Sequence, residues 1–336
     1  MTIKTNASSS PSGSSRLLKI LKIIFAILLI GFVLSNTRLD QLKTVLTNVS
    51  FGWAALSFIL FALLTLLKAL QYYILINEEV TYLQILKLVV FQNAVSNFLA
   101  ASAGIASYLT LFHVEYGVKV GRAAIVFLLT KIGDLIVIWL LLLVSSWLVW
   151  PQILLIHVPM ILLLTGMGAA IALLITAINL RQRFVEFAKE LMERLGLSRF
   201  SLIRKGLDIL QTLGDQEQIT MIHKLKFVLI TSSAYMIVSL VWIYCNLQAF
   251  NLQVGVLPIF FSNALLQVIS YLPIHIFGGL GVSEVSNLFL YGLFDIPATE
   301  LSPVLIGSRI LFYLMNLIIL LYLPIYNFFK QKKQTL

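Results

Sequence analysis

Apolar runs of about 20 residues recur along the whole chain, and none alternates with the two-residue period of a lipid-facing β-strand. Such runs predict membrane-crossing helices at residues 17–35, 52–76, 122–149, 156–178, 225–247 and 301–327. Two regions between them, 85–113 and 258–294, have a different pattern. Each holds a pair of apolar segments of roughly 13–18 residues, broken by small or helix-breaking residues. At 1.5 Å per residue such a segment covers ~20–27 Å of a hydrocarbon core about 30 Å thick. Short tilted spans and re-entrant hairpins both satisfy that length, and both change the side of the chain an even number of times. The predicted fold class is all-α: a polytopic helical membrane protein with about six full spans plus two broken or re-entrant helical hairpins.

Composition agrees. The 336 residues are 60% hydrophobic and 11% charged, with a mean hydropathy of +0.97, too little charge for the surface of a soluble domain. The net charge of +10 lies in loops rather than in a nucleic-acid-binding patch. Lys4, Arg16, Lys19 and Lys22 precede the first run. Nine lysines and arginines lie between Arg181 and Lys226, and Lys330, Lys332 and Lys333 close the chain. The span count puts these three groups on one side, read as cytoplasmic. Segments 150–157 and 247–257 on the other side carry no charge, and 295–300 has only Asp295 and Glu300. Loop 36–50, with Arg38, Asp40 and Lys43, is the mild exception. The chain is therefore expected in the cell (inner) membrane with both termini cytoplasmic.

Residues 1–15 are polar and Ser-rich and are predicted to be disordered, and 331–336 form a short tail. The exit "LSNTR" lacks a small-x-small cleavage site, so 17–35 is read as an uncleaved span. In the 180–224 linker, "RQRFVEFAKELMERLG" places Phe184, Phe187, Ala188 and Leu191 on one helical face, with Gly196 as its stop. That predicts a cytoplasmic amphipathic helix lying on the membrane or bundle, or docking a partner. The single cysteine, Cys245, forms no internal disulfide, and His113, His157, His223 and His275 have no zinc-type spacing.

The two irregular regions resemble one another. One reads "FQNAVSNFLAASAGIASYLTLFHVEYGVKVGRAAIVFLLTKIGDLIVIW" and the other "FFSNALLQVISYLPIHIFGGLGVSEVSNLFLYGLFDIPATELSPVLIGSRILFYLMN". Each has an amide-bearing apolar run, a small-residue break and a short helix closing on Tyr-Gly (Tyr116-Gly117, Tyr291-Gly292). A long span with a base inside it follows, Lys131 in the first and Arg309 in the second. The first region enters from the cytoplasm and the second from outside. That is the trace of an inverted repeat, whose broken helices mark a transport site near the midplane.

Five charges fall inside apolar runs: Lys68, Lys131, Asp134, Glu284 and Arg309. An ion at the bilayer centre costs ~2.5–3.5 kcal/mol on insertion scales, so each must face a partner or a wet cavity. Lys68 is expected to snorkel to the cytoplasmic end of its helix. Lys131 and Asp134, three apart, can pair locally. Glu284 and Arg309 form either a structural ion pair or a headgroup site. In the second case Arg309 and Lys131 attract a phosphate, while Glu284 holds an amine or relays a proton. Pro273, Gly278, Gly279 and Gly281 break the chain just before Glu284, and Gly104 with Asn97 marks the matching place in the first region. A helix starting near Val282 would aim backbone N–H groups at an anion and favour Glu284 by its dipole.

The stretch "LPIHIFGGLGVSE", the later "YGLF" and Arg309 resemble the C-terminal signature of the lysylphosphatidylglycerol synthase transmembrane (flippase-like) family. Pro273, Gly278, Gly279, Gly281, Glu284 and Arg309 fit that pattern. In the family's earlier motif, Asn97, Gly104, Gly117 and Asp134 keep the spacing, with Lys131 at an Arg place and Thr130 at a Glu place. Ala100, Ala101, Ile105 and Tyr108 depart from it. The resemblance implies a flippase-like domain over residues 16–330. Some family members carry a cytoplasmic aminoacyl-transferase after this domain. Here six residues follow Lys330, so lipid aminoacylation is not expected.

The expected function is translocation of a polar lipid between leaflets, or assistance to it, through a groove formed by the two broken regions. The alternative is a non-catalytic accessory subunit that docks a glycosyl- or aminoacyl-transferase. No Walker motif and no nucleophile–base or metal constellation is visible, so neither an enzyme nor a cofactor is expected. The expected partners are membrane lipids and such a transferase, not nucleic acid.

Overall fold

The computed structural model describes residues 29, 31, 33, 35, 39–76, 80–118, 120–194, 218–271 and 277–334. Among them the chain is helical without a strand. The elements are α1 (Leu39–Thr47), α2 (Phe51–Ile76), α3 (Tyr82–Phe98), α4 (Ala101–Tyr116), α5 (Val120–Leu148), α6 (His157–Arg194) and α7 (Gln218–Ala249). They continue with α8 (Val256–Ser270), α9 (Val282–Gly292), α10 (Ala298–Leu320) and α11 (Tyr322–Gln334). Short 3-10 turns lie at Trp150–Ile156 and Phe277–Gly279.

Five stretches are long and apolar enough to cross a membrane: Phe51–Ile76, Val120–Leu148, Trp150–Thr176, Lys224–Ala249 and Ala298–Phe328. They match the predicted spans after the first. Most of the predicted span 17–35 lies outside the described residues, but Val33 is helical, buried, and accepts a hydrogen bond from Ser302 Oγ at 2.9 Å. Outer faces carry exposed Ile59, Trp147, Leu155 and Leu317, as lipid-facing helices require. α5 is the central helix: 56% of its apolar stretch is buried, against 17% for Trp150–Thr176. It packs on α2, α4, α6, α7 and α8.

α6 runs unbroken for 38 residues, about 57 Å, well beyond a core about 30 Å thick. The amphipathic stretch that begins at residue 181 is therefore the continuation of a span through Arg194, not a separate helix. Its stop, Gly196, and the rest of the linker up to residue 217 lie outside the described residues.

The two irregular regions are helix–break–helix units. α3 ends where the N–H groups of Leu99 and Ala100 both reach back to Val95 O, at 3.0 and 3.3 Å, and α4 starts at Ala101. Gly104 therefore sits inside α4, not at the reversal. A Cβ there would lie 1.7 Å from Ser96 Oγ, so its bareness is what lets the two arms close on each other. α4 stops at Gly117, whose φ of 68° is left-handed. In the second unit Gly278, Gly279 and Gly281 hold φ values of 66°, 83° and 84° between α8 and α9. Pro273 lies outside the described residues.

The packing of the two units is reciprocal. α3 packs on α10, and α8 packs on α5, while each short arm (α4, α9) packs on the long span that follows it. Lys131 and Arg309 each stand eleven positions after the first residue of their helices, Val120 and Ala298. This arrangement presses the two breaks together and sets the two bases at either end of the second one.

Candidate functional site

The triple-glycine break positions Glu284. Gly281 caps α9, and Glu284, three residues into the turn, folds back so that Oε2 accepts the Gly281 N–H at 2.7 Å. This is half of a capping box, with the carboxylate also at the positive end of the helix. Its other oxygen, Oε1, accepts from Ser283 Oγ at 3.2 Å and from Arg309 Nε at 2.6 Å. Arg309 Nη1 donates to Gly278 O at 3.0 Å, and Nη2 donates to Ser283 Oγ. The guanidinium thus binds the carboxylate and the broken backbone together, with Phe312 and Tyr313 rings 5.4 and 5.9 Å from its carbon. The side chains of Arg309 and Glu284 are 14% and 9% exposed.

Asn97 belongs to this cluster through the backbone. A Cβ on Gly278 would sit 3.1 Å from Asn97 O, so the first unit's break is pressed against the second's. Asn97 Nδ2 donates to Asn316 Oδ1 at 2.7 Å, and Phe98 stacks on Tyr313 with ring centres 5.6 Å apart. An open recess of about 160 Å³ lies against the ion pair. Glu284 and Arg309 line it with Val33, Leu280, Ile306, Ile310 and Tyr313, so one charged patch meets apolar walls.

Asp134 and Lys131 form a second cluster. Gly133 lets α5 meet α7 closely: a Cβ there would lie 2.2 Å from Val228 Cγ1 and 3.5 Å from Ser232 Oγ. That approach delivers Ser232 Oγ to Asp134 Oδ1 at 2.7 Å. Lys68 on α2 donates to Asp134 Oδ2 at 2.8 Å and to Gln71 Oε1 at 2.8 Å, and Gln71 Nε2 donates to Ser232 Oγ at 2.7 Å. The expectation that Lys68 snorkels to a helix end is therefore corrected. A buried carboxylate across the bundle holds it more strongly than a distant headgroup region can. Lys131, on Asp134's own helix, stays 3.9 Å from Oδ2, beyond hydrogen-bond reach.

The five candidate residues thus fall into two clusters, not one. Among the described residues no hydrogen bond or ion pair joins the Glu284–Arg309 set to the Lys131–Asp134 set. Both nevertheless flank the same broken segment. Tyr271, where α8 ends, lies 5.1 Å over Lys131 Nζ, and Gly278 at the far side of the break is held by Arg309. Sequence reasoning passed over Gln71, Ser232, Tyr271 and Tyr235, whose ring lies 5.1 Å from Lys68 Nζ. Lys68 and Gln71, three apart in an otherwise apolar run, were the signal available for a polar face on α2. Among the described residues no group of three or more histidines, cysteines or acids is placed to hold a metal.

A helical bundle with apolar outer faces, buried ion pairs between its spans and two broken helical units is a polytopic integral membrane protein. Residues 19–319 match the family described as the lysylphosphatidylglycerol synthase TM region, and the chain belongs to that family. No curated protein and no solved structure matches the chain.

Proposed function

We propose that this protein moves a polar lipid between the leaflets of the cell membrane, or assists that movement, with both termini cytoplasmic. One observation supports this reading above the others. The broken segment between α8 and α9 is bracketed by charged groups from two spans, Lys131 at its start and Arg309 at its end. A headgroup needs such polar footholds within the hydrocarbon depth, while its acyl chains need apolar walls like those beside Arg309. Transport is passive or coupled to protons or potential.

In the state described, Arg309 is saturated by Glu284, Ser283 and Gly278. A lipid phosphate reaches it only by displacing Glu284, which loosens the fastening between the break and α10. The ion pair therefore acts as a latch that the substrate opens, not as a vacant phosphate site.

The test is a leaflet-transfer assay with headgroup-labelled phospholipid in proteoliposomes of the purified chain. Transfer well above protein-free vesicles is the expected result, lost in Glu284→Gln and Arg309→Ala proteins that still insert. A purified chain that transfers nothing but copurifies stoichiometrically with a transferase would replace this reading with that of an accessory subunit.

A further inference from the structure

Of the five charges set inside apolar runs, cations outnumber acids by one. Lys68, Lys131 and Arg309 face only two acids at this depth, Asp134 and Glu284. Lys87 and Glu115, on α3 and α4, cancel one another at 2.7 Å. The break residues 272–276 read "LPIHI" and contain no acid. Geometry identifies which cation is left over. Every guanidinium nitrogen of Arg309 is bonded, and Lys68 has both Asp134 and Gln71 within 2.8 Å. Lys131 alone has, among the described residues, no acceptor within hydrogen-bond distance. Its ammonium rests between the rings of Phe127 at 5.6 Å and Tyr271 at 5.1 Å. Its side chain is 37% exposed, the most open of the three.

We infer that Lys131 is the anchor for an anionic phosphate ester on a lipid headgroup, and that the protein selects lipids of net negative charge over zwitterionic and uncharged ones. The inference deepens the proposed function and names its substrate class. An ammonium with three donors, ring faces on it and its nearest carboxylate oxygen 3.9 Å away lacks the acceptor oxygens at hydrogen-bond distance that a phosphate supplies. The aromatic faces stabilise the cation while leaving its donors free. Lys68 is what makes this work. By neutralising Asp134 it prevents the nearest carboxylate from capturing Lys131, so the local charge stays at +1 when no ligand is present. A zwitterionic headgroup adds no net charge and leaves that excess in place, whereas an acidic one removes it. Tyr271 ties the anchor to the end of α8, so an anion bound there lies beside that helix end.

Binding tests this apart from transport. The full chain, purified in an uncharged detergent, is titrated with short-chain phosphatidylglycerol, phosphatidylcholine, diacylglycerol or inorganic phosphate, and bound lipid is counted by native mass spectrometry beside the unfolding temperature. Phosphatidylglycerol is expected to be retained roughly tenfold better than phosphatidylcholine. Lys131→Met is expected to remove that preference, and Lys131→Arg to keep it. Equal retention of the two phospholipids by the wild type, or an unchanged preference in Lys131→Met, overturns the inference, the second outcome marking the lipid as merely annular. A shift with inorganic phosphate as large as with the lipid overturns the lipid assignment in favour of a soluble anion. If Lys131→Met does not yield folded protein, the wild-type preference and the Lys131→Arg result decide. Selective binding without leaflet transfer would keep this inference and sink the translocation reading. Transfer without charge selectivity would do the reverse.

Discussion

Lys68 Nζ lies 2.8 Å from Asp134 Oδ2, although Lys131, on the same helix as Asp134, stays 3.9 Å away. The cross-bundle partner makes the closer contact because α2, α5 and α7 pack on one another around the carboxylate. Ser232 Oγ then donates to the other carboxylate oxygen at 2.7 Å, and Gln71 Nε2 reaches that same oxygen at 3.5 Å. The Lys68 and Asp134 side chains are 14% and 5% exposed, so the pair is sheltered from screening.

Lys68→Met is therefore expected to lower stability. Breaking a buried pair by removing one partner costs about 3–5 kcal/mol, of which Lys131 can recover a part by closing onto Oδ2. The unfolding temperature in detergent should fall, and Lys68→Met with Asp134→Leu should regain much of the loss because no buried carboxylate is then left without its lysine. A double variant as unstable as the single would show that the two groups do not act as a pair.

Gly133→Ala puts a methyl group against Val228, whose Cγ1 lies 2.2 Å from the position of the new Cβ. Overpacking of this kind costs about 1–3 kcal/mol and pushes Ser232 off Asp134. Adding Val228→Ala should restore stability. The measurement is the unfolding temperature of the two singles and the double, and additive losses would sink the steric account.

Gly278→Ala meets two obstacles. Its φ of 66° is left-handed, and the new Cβ would lie 3.1 Å from Asn97 O. The strain is on the order of 1–2 kcal/mol before the contact is counted. Leaflet transfer should fall more than stability does, because the change moves the carbonyl that Arg309 grips. Unaltered transfer by a folded Gly278→Ala protein would remove the break from the mechanism.

Arg309→Lys keeps the charge but should not rescue transfer. A single ammonium cannot bond Glu284, Ser283 and the Gly278 carbonyl in the planar fork that the guanidinium provides. Transfer within twofold or so of wild type in the lysine variant would show that charge alone suffices there.

The helical membrane class was legible because burial in lipid leaves a signal in every residue: long apolar runs are required wherever backbone groups have no water to bond. The spans after the first appear where the runs place them, and the break before Glu284 appears where the glycines place it. Gly104 was legible as special but not in its role, since a glycine that turns the chain and one that admits a neighbour look alike in sequence. Asn97 was legible as polar, yet its partner Asn316 lies 219 positions away.

What the sequence determined by itself, then, is where the chain is apolar, where it bends, and that five ions lie too deep to be idle. Those are local properties, set by transfer energies and backbone sterics. The tertiary structure alone decided which ion answers which. Glu284 with Arg309 and Asp134 with Lys68 are matched by helices brought together at Gly278 and Gly133. Lys131 is left facing aromatic rings. Pairing depends on distance in space, and in a bundle that distance is set by side-chain packing between helices far apart in the chain.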